Sequence, residues 1–273
     1  MRRISSLKIK KAATELARRA NFLLRKDVLA SLRKAYAGEK NKRAKNILKA
    51  ILDNAAIAAK EKLAICQDTG MPVVFCQVGQ GVSISGDLKA AINKGVEQGY
   101  KKYCLRNSII RDPLSRGACG FSPCVIHTDI VKGNKIKLIL LPKGFGCENK
   151  SQSKMFRPTA SVEEVKGFIV DAVKSAGSDA CPPYVVGVGI GGTADYASLL
   201  AKKALLRKIS GKGSRLEQEL LKRINKTGIG PMGLGGQNTA LAVHIEKYPT
   251  HIAGLPVSVN ISCHALRSAS VVL

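Results

Sequence analysis

The chain has 273 residues, 45% of them apolar, which is enough to bury a substantial core and excludes disorder over most of its length. Its 45 Lys and Arg against 19 Asp and Glu give a net charge of +26, a balance that attracts nucleic acid, an anionic surface, an acidic partner or an anionic substrate, yet aromatic residues are only 4% and Trp is absent, so the stacking surface of a single-strand nucleic-acid binder is missing. No run approaches the roughly 18 uninterrupted apolar residues of a membrane span, and Met1-Arg2-Arg3 leads into Lys8, Lys10 and Lys11 instead of an apolar leader, so a cytoplasmic protein with reduced thiols and no membrane partner is expected.

From Ser6 to Lys62 apolar residues such as Leu16, Leu23, Val28, Leu32, Leu48 and Ile51 recur at three- and four-residue intervals, which predicts amphipathic helices broken near Gly38 to Asn41. Met71 to Val82 suits a buried strand, and Gly86 to Arg106 a helix. Asp112-Pro113 opens a predicted loop through Pro123, followed by a strand pair, Val125 to Val131 and Lys135 to Leu141, joined by Lys132-Gly133-Asn134 as a tight turn. Gly144 to Ser151 is a polar glycine-bearing loop, after which Ser161 caps a helix ending at Gly177. A strand over Val185 to Ile190, helices over Ala197 to Ile209 and Leu216 to Asn225, and strand-like runs over Ala240 to Ile245 and Leu255 to Ile261 around His251 complete the chain. With no repeat or low-complexity linker, the expectation is a single α/β (mixed α+β) domain over 1–273, in which a helical N-terminal part, 1–62, packs on a body of mixed β-sheet with flanking helices, 63–273.

Gly187-Val-Gly-Ile-Gly-Gly192 matches the spacing of a dinucleotide fingerprint, but about twenty residues on the chain offers Lys212 and Gly213 where such a fold carries an acid. A glycine turn facing an anion and glycines required for tight helix-on-strand packing are the two other readings. Of eight cysteines, Cys66 in Ile-Cys-Gln-Asp-Thr-Gly, Cys181 in Ala-Cys-Pro-Pro-Tyr and Cys263 in Ser-Cys-His-Ala-Leu-Arg sit in short runs whose composition suits an iron-sulfur cluster, and three thiolates are one short of closing a cubane of four irons. Spacing alone does not choose among the thiols: Cys119 and Cys124 remain candidates for zinc or redox chemistry, and Cys76 and Cys104 read as core residues.

Seven ordered blocks decide between them: Cys66-Gln-Asp-Thr-Gly70, Leu105-Arg-Asn-Ser108, Pro142 to Ser151, Cys181-Pro-Pro-Tyr184 with Gly187 to Gly192, Leu200 to Arg207, Gly230 to Gly236, and His251 to Pro256 with Cys263-His-Ala-Leu-Arg267. Together they resemble the alpha subunit, or N-terminal domain, of the class I fumarate hydratase and L-tartrate dehydratase family, the iron-sulfur hydro-lyases. The resemblance implies a [4Fe-4S] cluster on Cys66, Cys181 and Cys263, catalytic roles for Asp68 and His251, and a substrate pocket that includes Gln67, Arg106 and Gly146. It also implies a separate beta subunit, a heterotetramer or larger assembly, and a small dicarboxylate substrate, fumarate to L-malate first and L-tartrate to oxaloacetate second. The loop commonly Gly-Gly-Gly-Ser-Glu-Asn in the family reads Gly144-Phe-Gly-Cys-Glu-Asn149 here, and the run commonly Asn-Thr-Gly-Asp-Asn-Thr-Pro reads Arg116 to Pro123. A basic nucleic-acid-binding protein using the helices before Lys62 is the alternative of another class.

Overall fold

A computed structural model describes residues 1–209 and 213–273, so Lys212, weighed above as a cofactor-site position, lies outside the described residues. In chain order the elements are β1 (Arg2–Ser5), α1 (Ser6–Phe22), α2 (Lys26–Gly38), α3 (Lys42–Glu61), β2 (Met71–Gly79), β3 (Val82–Ser85), α4 (Leu88–Lys102), β4 (Ile109–Asp112), β5 (Arg116–Gly120), β6 (Val125–Val131), β7 (Ile136–Lys143), α5 (Phe145–Glu148), β8 (Gln152–Phe156), α6 (Val162–Ala176), β9 (Tyr184–Gly192), α7 (Ala194–Ala204), α8 (Arg215–Asn225), β10 (Ala240–Thr250), β11 (Leu255–Ser262) and β12 (Ala269–Val272). This is a mixed α/β fold, as the periodicities predict. Among the described residues no helix is long and apolar enough to cross a membrane.

Contacts divide the chain into two compact units: Met1–Arg25 with Ala55–Phe145 and Arg267–Leu273, and Lys26–Asn54 with Gly146–Leu266. In the first, a four-stranded sheet runs in the order β12-β7-β2-β6, with β2 parallel to β6 and antiparallel to β7. Helix α1 packs on β7 and on α4, and α4 meets it with glycines: a Cβ on Gly95 or Gly99 would sit 2.4 Å from the Lys10 carbonyl oxygen or 2.6 Å from Ala17 Cβ. Ile9, Leu16, Ile92, Leu138 and Leu140 fill the core between these layers.

The predicted hairpin of Val125–Val131 with Lys135–Leu141 is not formed. Both strands exist, but β2 lies between them, and its outgoing end is hydrogen-bonded to the loop that joins them: Gly79 N–H donates to Lys135 O, Gln80 N–H to Val131 O and Gly81 N–H to Gly133 O. Only a residue without a side chain passes at Gly79, where a Cβ would stand 2.5 Å from Gly133 O. The predicted loop after Asp112 is instead the turn of the β4–β5 hairpin, because Asp112 Oδ1 accepts from both Leu114 N–H (2.8 Å) and Ser115 N–H (3.0 Å). Cys104 is exposed at the end of α4, not a core residue.

In the second unit the sheet order is β10-β9-β11-β8, with β9 parallel to β10 and antiparallel to β11. Strand alternation sends Val186 and Val188 of β9 into a core shared with α6 and α8, and turns Gly187 and Gly189 to the other face, beneath α7. A Cβ there would lie 2.1 Å from Ala201 O or 2.0 Å from Ala197 O, so these glycines belong to a strand under close helix packing and not to a turn facing an anion. Ser161 caps α6 and Gly177 ends it, both as predicted, and Glu164 completes a reciprocal capping box with Ser161. The break before α3 is made by Asn41, whose Oδ1 accepts from Ala44 N–H at 3.1 Å.

Candidate functional site

Bonds within the first unit gather four of the residues singled out from the sequence. Cys66 is half-buried, and its Sγ donates to Gln67 Oε1 at 3.5 Å. Asp68 follows in a tight turn: Oδ1 accepts from Gly70 N–H (3.0 Å), while Oδ2 accepts from Phe145 N–H (2.8 Å), the first residue of α5. The carboxylate of Asp68 therefore couples the cysteine loop to the backbone immediately before Gly146. Thr69, buried, accepts from Arg106 N–H on its hydroxyl (3.1 Å) and leaves the Arg106 side chain exposed.

Two residues given no role from the sequence hold this loop from below. Tyr100 donates its hydroxyl to Thr69 O (2.8 Å), and the buried Arg267 donates Nη2 to Asp68 O (2.7 Å). Arg267 stands at the end of one of the quoted blocks, which is the signal that pointed to it; Tyr100 lies in an ordinary helical pattern that carried none.

In the second unit, bonds gather Gly146, Cys181 and the segment of Cys263. The half-buried Cys181 has a left-handed backbone (φ 56°), and its carbonyl accepts from His264 N–H (3.2 Å) and from His264 Nδ1 (3.1 Å), which must carry the proton because a carbonyl only accepts. Cys147 Sγ donates to Ala180 O (3.4 Å), and Lys150 binds Asp179 (2.7 Å), holding the carboxyl of Asp179 below its ordinary value, so the 146–151 loop is fastened to the residues just before Cys181. Glu148 anchors the same loop from inside, meeting Lys202 and Asn260 Nδ2. The predicted polar loop thus contains one helical turn, α5, and is pinned at the side chains of Cys147, Glu148 and Lys150. At Gly146 an added Cβ would meet nothing nearer than Asp179 O at 3.8 Å, so packing within the chain does not demand a glycine there.

His251 joins neither group. It is exposed on the β10–β11 loop, where Nδ1 accepts from Ala253 N–H (3.2 Å), which leaves Nε2 as the proton-bearing nitrogen of the neutral ring.

The thiols differ in a way that sequence spacing hides. Burial pushes Cys76 up to about 11 and Cys124 up to about 12, which disfavours the thiolate that ligates metal. Cys104 and Cys119 are exposed, Cys147 is buried, and Cys66, Cys181 and Cys263 are the three of intermediate exposure. Among the described residues no three His, Cys, Asp or Glu side chains form a group that could hold a metal ion. As donors, three partly accessible thiols in loops fit the chemistry of an iron-sulfur cluster.

The family model described as "Fumarate hydratase (Fumerase)" matches residues 10–272. A Methanocaldococcus jannaschii protein named "Putative L(+)-tartrate dehydratase subunit alpha" is 43% identical over 276 residues, covering 96% of each chain. The Escherichia coli (strain UTI89) L(+)-tartrate dehydratase subunit alpha is 31% identical over 250 residues, 88% of this chain and 82% of the relative, and the Shigella sonnei protein of the same name is 30% identical over 256 residues, 90% and 84%. A match that runs through both units and takes in every loop described above leaves one conclusion: this chain belongs to the fumarate hydratase (fumerase) family.

Proposed function

We propose that this chain is the alpha subunit of a hydro-lyase that adds water to, or removes it from, a four-carbon dicarboxylate, and that Cys66, Cys181 and Cys263 hold its [4Fe-4S] cluster. The observation that carries this reading is the family match over residues 10–272. When bound, a cluster with three protein thiolates supplies Lewis-acid chemistry at its remaining iron. The chain's own side chains bind and orient the substrate. Arg106, exposed and fixed at its backbone by Thr69, grips a carboxylate through two parallel hydrogen bonds. The Gln67 amide, whose oxygen meets Cys66, turns its N–H donors to the same ligand. The Nε2–H of His251 donates to a carboxylate or moves a proton, and the backbone of Gly146 offers a close approach that no Cβ obstructs. Asp68 works at the hydroxyl or water of the substrate while its bonds to Gly70 and Phe145 keep the two loops in register. A separate beta subunit supplies the base that takes the proton from carbon.

Fumarate to L-malate is the first pair. L-tartrate is the second reading, favoured by the names of the relatives. The test is anaerobic co-expression with the beta subunit, iron and sulfide analysis, and assay against fumarate, L-malate and both tartrate enantiomers. Brown protein that loses iron in Cys66→Ser but keeps it in Cys119→Ser is the expected result. Colourless wild-type protein, or iron retained in Cys66→Ser, overturns the ligand assignment; a loaded pair that turns over none of these acids overturns the substrate class.

A further inference from the structure

A cavity of about 630 Å3 lies within the second unit along the outer edge of β10, and none of the residues assigned above to cluster or substrate lines it. Its volume falls in the range of about 300–1,000 Å3 typical of small-molecule sites. As the edge strand, β10 pairs with β9 on one side only, so alternate residues turn their N–H and C=O outward. Two of these outward pairs are capped by side chains. Asn225 Oδ1 accepts from Ala240 N–H (2.8 Å) and Nδ2 donates to Ala240 O (3.2 Å). Glu217 Oε1 accepts from Ile245 N–H (2.7 Å) and Arg207 Nη1 donates to Ile245 O (3.1 Å).

Val243 stands two residues before Ile245 and turns its backbone the same way. It lines the cavity, is buried, and has no such cap among the described residues. Val243 stands between the capped Ala240 and Ile245, which are no more than roughly 16 Å apart at ~3.3 Å per residue. That is short for an added strand of about 5–6 residues and suits a single small molecule. Lys34 of α2 and Lys208 line the same cavity without an ion pair or hydrogen bond among the described residues, whereas Arg207 is answered by Glu217 and Glu246.

We propose that this cavity is a second ligand site, for a small organic anion that carries a phosphate or carboxylate for Lys34 and Lys208 and a planar donor–acceptor edge for the backbone of Val243. A mononucleotide and an N-acylated amino acid are two sources of that chemistry. Calorimetric titration of the full chain with AMP and with N-acetyl-L-glutamate separates them, and adenosine and inorganic phosphate serve as the partial ligands. The expected result is that one of the two complete probes binds more tightly than its fragments, that its affinity falls roughly tenfold in the Lys34→Gln/Lys208→Gln variant, and that Arg106→Ala leaves it unchanged. Both lysines are exposed, so the variant keeps the wild-type melting temperature. Absence of binding by both probes, equal binding in the lysine variant, loss of binding in Arg106→Ala, or phosphate binding as well as AMP each overturns the proposal. The readout needs neither cluster nor turnover, so its failure is separate from failure of the proposed hydro-lyase.

Discussion

At Gly146 and Thr69, geometry separates residues that hold the chain from residues that hold a ligand. Since a Cβ on Gly146 comes no closer than 3.8 Å to any neighbour, an ordinary contact, Gly146→Ala should fold with an unchanged melting temperature. If its backbone faces the dicarboxylate, KM of the assembled enzyme rises about tenfold or more, because a methyl there displaces the ligand. An unaltered KM removes Gly146 from the substrate site. Thr69 acts through another residue: its hydroxyl accepts the Arg106 N–H, and the methyl of a valine leaves that donor unanswered. Thr69→Val should raise KM several-fold while the iron content stays full, and Thr69→Ser should restore it, whereas Arg106→Ala should abolish turnover with the cluster spectrum intact. Equal loss of iron and activity in Thr69→Val makes Thr69 a purely structural part of the Cys66 loop.

Among the elements, helix identity was legible because it is local. The three- and four-residue spacing before Lys62 became α1, α2 and α3, and the Ser161–Glu164 box with Gly177 set both ends of α6. Strand neighbours were not legible, since β6 and β7 are adjacent in sequence while β2, from far upstream, occupies the place between them. The short strands β1, β8 and β12 carry too few residues to show a period, and each exists through pairing with a partner distant in sequence. The glycines of β9 illustrate the same division: their spacing suggests a nucleotide turn, and only the position of α7 explains them. Gly189→Ala should therefore destabilise the protein by about 3 kcal/mol or more in denaturant unfolding, because a methyl 2.0 Å from the Ala197 carbonyl oxygen forces α7 off the sheet. A wild-type midpoint for this variant contradicts that packing.

For the whole molecule, two buried carboxylates make stability depend on acid. Burial works to raise the carboxyl of Glu39, but N–H donors from Asn41, Gln237, Asn238 and Lys40 outweigh it. The same holds for Glu217 against donors from Ile245, Ser214 and Arg207, so both lie below the ordinary 4.5. A folded value below the unfolded one contributes stability that is present above about pH 4.5 and lost as pH falls through the folded value. The melting temperature should accordingly drop on acidification below that point, and Glu217→Gln should lower it at neutral pH while flattening the acid slope; an unflattened slope assigns the loss to other groups. Composition, periodicity and ordered blocks in the sequence alone determined the helices, the charge of +26 and the family, because each is written in neighbouring residues or in their order. Tertiary structure alone decided that β2 parts β6 from β7, that burial pushes the thiol of Cys124 up, and that Thr69, Tyr100, Arg267 and His264 fasten the cysteine loops. Those outcomes depend on which distant segments meet and how much water each side chain keeps, and no local pattern encodes either.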